Sequence, residues 1–149
     1  MADFTDNNLS ETDMKKAYQF IWAFEEKVKP QYGTFNFDSQ EIKDFCQKHD
    51  IKKKENCNTK VTDNYFWFET RNAKGVNDSA HHFLRHIRNA MAHGNFKKAR
   101  GKKAFYTLED YTEKGKQTMG GKINADIFWE YLNTVLHSSQ VIDNEINFK

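Results

Sequence analysis

Residues 79–93, SAHHFLRHIRNAMAH, concentrate side chains able to do proton and phosphate chemistry. Wound as a helix, they place His82, Arg85, His86, Asn89 and His93 on one half of the wheel, with Arg85, Asn89 and His93 in register at i, i+4 and i+8. Arg88 lies on the flank of that face, where its long side chain can reach over it. A helix turned to solvent usually carries Lys and Glu. This face carries three His, two Arg and one Asn, and no carboxylate. Imidazole can both take and give a proton near neutral pH. Guanidinium is planar, always charged and able to grip two phosphate oxygens together. An Asn amide can orient a sugar hydroxyl or a phosphate oxygen. Together they suit attack by an RNA 2′-hydroxyl on its neighbouring phosphate, which needs proton transfer and charge stabilisation but no metal.

Each of these residues also has a plainer reading. His93 could cap the helix C-terminus, where a cationic ring favours the dipole. His82 and His86 stand at a chelating i, i+4 spacing with His81 adjacent, but no nearby Asp or Glu completes a zinc set. Arg85 and Arg88 could hold a partner helix through ion pairs.

The elements that must position this face are mostly helical. A first helix is expected from Asp13 to Lys29, with Ser10–Asp13 offering capping side chains and Pro30 ending it. Its inward stripe gathers Met14, Ala17, Tyr18, Phe20, Ile21, Trp22, Phe24 and Val28. Glu25 falls inside that stripe, as a rim residue or as a carboxylate facing a site. A second helix spans 39–49, with Asp38 and Glu41 at capping-box spacing and Ile42 and Phe45 inward. Residues 50–60 read as a polar loop. Tyr65-Phe66-Trp67-Phe68 is placed in a helix over 62–72, although an aromatic run fits a strand equally well. It reads as core or dimer surface, or as a platform for stacking RNA bases. Residues 74–79 break the chain before the His-rich helix, and Gly94 stops that helix. Phe105–Tyr111 and Gln117–Ile123 form a small hairpin about the turn at 113–116, with Gly120-Gly121 weakening the return strand. The last helix runs from Asn124 to His137 and buries Ile127, Phe128, Tyr131, Leu132, Val135 and Leu136.

Composition bounds the rest. One domain of 149 residues can bury a real core, and 15% aromatic content (thirteen Phe, six Tyr, three Trp) offsets a mean hydropathy of -0.92. The ends, 1–10 and 138–149, are expected to fray. No apolar run is long enough for a membrane span, and MADFTDNNLSETD lacks the apolar centre of a secretory leader, so a cytoplasmic protein is expected. Cys46 and Cys57 make no disulfide framework or zinc spacing and read as reduced thiols. Net charge is only +2, but residues 1–50 balance at -4 and residues 51–149 at +6. Two basic clusters stand out: Lys52–Lys54, and Lys97, Lys98, Arg100, Lys102 and Lys103. Each is an ordinary solvated loop or a polyanion contact.

Arg88-Asn89-Ala90-Met91-Ala92-His93, followed by Gly94-Asn95, resembles the Arg-x(4–6)-His motif of HEPN domains (higher eukaryotes and prokaryotes nucleotide-binding), in which the residue after the Arg is often Asn. The stretch from His82 to the last helix is similar to prokaryotic HEPN nucleases. The resemblance implies a mainly α, up-and-down helical bundle with a small β-hairpin between the motif helix and the C-terminal helix. It implies a homodimer whose two motifs share one cleft, and a metal-independent endoribonuclease without cofactor, used as a toxin or in defence, with an antitoxin protein as a possible partner. His93 would transfer the proton, Arg88 would hold the scissile phosphate and Asn89 would orient the substrate. Arg85, His82 and His86 share the face and would contact RNA, aided by the basic segment 97–103. The rivals are a HEPN module that binds RNA, a nucleotide or a partner protein without catalysis, and an interaction protein whose polar face is a dimer seam.

Overall fold

The computed structural model describes residues 8–53, 64–70, 78–100 and 102–139. Helix α1, Glu11–Ala23, opens on a capping box in which Ser10 Oγ accepts from the Asp13 amide and Asp13 Oδ2 accepts from the Ser10 amide. The helix then widens into a π-helical turn over Phe24–Val28 and closes as a 3₁₀ turn over Lys29–Gln31, where Pro30 cannot donate to a continuing helix. Helix α2, Gln40–His49, is capped by Ser39 rather than by the expected Asp38. After it come strands β1 (Lys52–Lys53) and β2 (Tyr65–Phe68), then helix α3 (Ser79–Ala92). Strands β3 (Phe96–Arg100), β4 (Ala104–Tyr111) and β5 (Gln117–Asn124) follow, and helix α4 (Ala125–Leu136) closes the described chain.

The expected helical bundle is not what forms. A five-stranded mixed sheet in the order β1-β2-β5-β4-β3 stands beside the helices, parallel between β1 and β2 and antiparallel elsewhere. The small hairpin is the centre of that sheet, Tyr65–Phe68 is a strand rather than a helix, and residues 96–100 are an edge strand rather than a basic loop. The alternation was concealed by polar residues at inward positions. On β4, Tyr106, Leu108 and Asp110 share the buried face, and one of the three is a carboxylate. Gly120 and Gly121 do not weaken the sheet. They admit the rings of Trp67 and Phe66, which a Cβ at either position would strike.

The helices cover the face of the sheet to which Tyr106 and Leu108 point. Phe83 of α3 packs against Phe66, Phe68 and Tyr131, while Phe96, Tyr106, Phe128 and Trp129 form a second aromatic group. Buried Asp13 pins α1 to the sheet, accepting from the Tyr106 hydroxyl and pairing with Lys98 Nζ at 3.0 Å. Tyr18 and Trp22, expected inside, are 52% and 59% exposed. Of the expected frayed ends, residues 1–7 and 140–149 lie outside the described residues, whereas Ser139 is buried and hydrogen-bonded to Thr34. Cys57, Lys54 and most of the expected 50–60 loop also lie outside the described residues.

Candidate active site

Helix α3 is threaded through the molecule, and its two ends meet different surroundings. Asp78 caps the N-terminus: Oδ1 accepts from the His81 amide at 3.0 Å, and Oδ2 accepts from the amides of Gly33 at 2.7 Å and Phe35 at 3.2 Å. The 32–35 segment is thereby folded over the first turn. His81, with 6% of its surface exposed, sits among Phe24, Tyr32 and Phe35, and Nε2 lies 3.3 Å from the Lys29 carbonyl. Burial holds its pKa below the ordinary imidazole value. His82 is also buried and meets the Tyr32 hydroxyl at 3.1 Å.

One turn on, His86 is enclosed between the helix and the sheet. Nδ1 lies 2.7 Å from Asp110 Oδ2 and Nε2 lies 2.8 Å from the Glu69 carbonyl, so both ring nitrogens face oxygens that only accept. The side chains of His86 and Asp110 are 2% and 4% exposed. Burial by itself would raise the Asp110 carboxyl, but hydrogen bonds from His86, Asn89 and the Tyr111 amide bring it below its ordinary value. Arg85, half-buried, packs beside the ring with Nη2 3.3 Å from Nε2.

Toward the C-terminus the face opens. Asn89 donates from Nδ2 to Asp110 Oδ2 at 3.2 Å and accepts at Oδ1 from Arg88 Nη1 at 3.0 Å. Arg88 Nε stands 2.9 Å from Glu25 Oε1, so the carboxylate of the π-helical turn is a rim residue that reaches the motif. Two backbone bonds end the helix, Gly94 N–H to the Met91 carbonyl at 3.4 Å and Asn95 N–H to the Ala90 carbonyl at 2.8 Å. This is the Schellman arrangement, and Gly94 supplies the positive φ of 78° that it requires. His93 is the C-cap residue, with an exposed side chain one turn beyond Asn89. Of the four imidazoles on this segment, three are buried and His93 is open.

A cavity of about 650 Å³ lies beside the open face, with Arg85, His86, Asn89, Asp110, Tyr111 and Lys116 among its lining residues. The basic set at 97–103 is elsewhere. Arg100 pairs with Ala104, six residues along β4 from Asp110, which is roughly 20 Å on an extended strand. Lys97, Arg100, Lys102 and Lys103 are exposed there, whereas Lys98 is committed to Asp13. Asp110 escaped the sequence reading, although it is the carboxylate that the His-rich helix lacks. The signal was present in Tyr106-x-Leu108-x-Asp110, an acidic residue at the third inward position of an expected strand. Among the described residues, no group of three His, Cys, Asp or Glu side chains could hold a metal ion.

The Arg88-Asn89-x-x-x-His93 segment at the end of α3 resembles the Arg-x(4–6)-His motif of HEPN domains. The chain matches the family described as HEPN pEK499 p136 over residues 7–145, and it belongs to that family. No curated protein and no solved structure matches it. No helix among the described residues is long and apolar enough to cross a membrane.

Proposed function

We propose that this protein is a metal-independent endoribonuclease of the HEPN type that acts as a homodimer on single-stranded or loop RNA, in a toxin or defence role. The observation that carries this reading is the contrast along α3: one imidazole, His93, is left open one turn from an Asn–Arg pair held in a fixed arrangement. In the reaction His93 takes the proton of the 2′-hydroxyl, and the 2′-oxygen bonds to the adjacent phosphorus. The bond from phosphorus to the 5′-oxygen breaks, and a second imidazole protonates that oxygen. The products are a 2′,3′-cyclic phosphate and a 5′-hydroxyl. Arg88 holds the non-bridging oxygens as their charge grows.

The helix geometry favours two copies. Arg88 and His93 are five residues apart, so they sit about 7.5 Å apart along the axis and roughly 140° around it. They therefore do not converge from one helix, and in a homodimer a second copy of the motif supplies the opposing Arg88 and the second proton-transfer group. Exposed Trp22 and Tyr18, on the helix that carries on into Glu25 and its bond to Arg88, supply apolar surface for that contact. A second reading, a HEPN module that binds RNA without cutting it, is favoured by the commitment of Arg88 to Glu25 and Asn89. Incubation of purified protein with RNA in EDTA, beside His93→Ala and Arg88→Ala, separates the two. Cleavage abolished by both substitutions supports the nuclease, and cleavage indifferent to both defeats it. Binding without cleavage selects the module.

A further inference from the structure

An Asn amide can be turned end for end with little steric cost, so something chemical must decide which way Asn89 faces. Asp110 Oδ2, 3.2 Å away, can only accept. The amide must therefore present Nδ2 to Asp110, which leaves Oδ1 to accept from Arg88 Nη1 at 3.0 Å. Asp110 is braced in turn by His86 Nδ1 at 2.7 Å on Oδ2 and by the Tyr111 amide at 3.0 Å on Oδ1. His86 is anchored at its far side by the Glu69 carbonyl at 2.8 Å. Donors and acceptors alternate from the Glu69 carbonyl, just past β2, through α3 and β4 to the guanidinium. The β4–β5 register shifts between Asp110 and Tyr111, an irregularity of the kind that re-aims a side chain out of the regular ladder.

We propose that Asp110 is a positioning residue of the active site: with His86 as its brace, it fixes the orientation of Asn89 and through Asn89 the placement of Arg88 at the scissile phosphate. The inference rests on the ribonuclease reading for its effect on rate, but the orientation itself can be read without activity. Asp110→Asn is the informative change. A carboxamide has one oxygen, and it cannot serve both the Tyr111 amide and the two donors that meet at Oδ2.

Single-turnover cleavage in EDTA by Asp110→Asn, Asn89→Ala and the double variant forms a mutant cycle. The expected results are a 10- to 100-fold fall in the saturating cleavage rate for Asp110→Asn, with the half-saturating protein concentration within about twofold, and no further fall when it is added to Asn89→Ala. A loss of equal size in both backgrounds overturns the proposal. If Asp110→Asn does not fold, the exchanged pair Asn89→Asp with Asp110→Asn restores the alternation, because the new amide can face the new carboxylate. That pair is expected to regain at least tenfold over Asn89→Asp alone, and no gain overturns the proposal. NMR of the Asn89 side-chain amide is independent of catalysis. Its two proton signals are expected to be slow to exchange in the wild type and close to free-amide behaviour in Asp110→Asn. Wild-type protein that cuts no RNA yet shows this change removes the nuclease reading and leaves the orientation by Asp110 standing. Unchanged amide signals remove the orientation by Asp110.

Discussion

The two ends of α3 carry the same kinds of side chain and do opposite things with them. Around the first turn and the middle, His81, His82 and His86 are walled in by Tyr32, Phe24, the Lys29 and Glu69 carbonyls and the Asp110 carboxylate. At the last turn, Arg88 and Asn89 are only partly covered and His93 is open. The difference does not lie in the helix, whose polar face reads as one surface. It lies in what the rest of the chain lays against it: the 32–35 segment and the strands at one end, and at the other a Schellman turn that leads the chain away. A count of histidines on a helix face therefore overstates its chemistry until the partners from other elements are known.

That contrast can be broken most sharply by substituting one imidazole from each region. His93→Ala is expected to lower RNA cleavage by about 10²- to 10⁴-fold while leaving the urea midpoint within error of wild type. His86→Ala is expected to act on the fold as well as on the rate. It strips Asp110 of its closest donor inside the fold and costs roughly 3 kcal/mol of stability, read by urea denaturation. Equal destabilisation by both substitutions would erase the distinction between the two ends.

The pH dependence of stability sharpens it further. His81 has its folded pKa held below the ordinary 6.5, so the unfolded chain binds its proton first as pH falls. Its contribution is complete above about pH 6.5 and is lost as pH drops from there toward the folded value, by at most about 1.4 kcal/mol per pH unit. Replacing His81 with Phe is expected to flatten the slope of urea stability between pH 7 and pH 5. The lowered pKa of Asp110 acts in a separate, more acidic window. Its contribution is full above the ordinary carboxylate value of 3.8 and disappears only below it. The smallest effect is expected at the rim. Glu25→Ala removes a partly exposed pair with Arg88 and is expected to change stability by less than about 1 kcal/mol, as read by thermal melting.

Much of the helical framework was legible in the sequence, because helix ends are written locally. Ser10 caps α1, Asn124 caps α4 and Gly94 stops α3, as their residue types and spacing indicate. The sheet was not legible, because its pattern depends on distant pairings. Lys98 shares the inward face of Phe96 and finds its counter-charge in Asp13 of distant α1, and Gly120-Gly121 reads as a weak strand until the rings of Phe66 and Trp67 cover it. The candidate site divided in the same way. Arg88, Asn89 and His93 follow from one stretch of chain. Asp110 and Glu25 reach it from β4 and from the π-helical turn, and no local spacing announces them.

On the proposed reading, the open imidazole at the end of α3 serves attack by a ribose 2′-hydroxyl. The most direct measurement follows one RNA strand, in EDTA, beside an identical strand carrying a single 2′-deoxy sugar at the cleaved position. The expected result is a 2′,3′-cyclic phosphate and a 5′-hydroxyl from the first strand, no cut at that position in the second, and no cut in either by His93→Ala. Cleavage that persists at the 2′-deoxy sugar, or that His93→Ala performs at the wild-type rate, would contradict it.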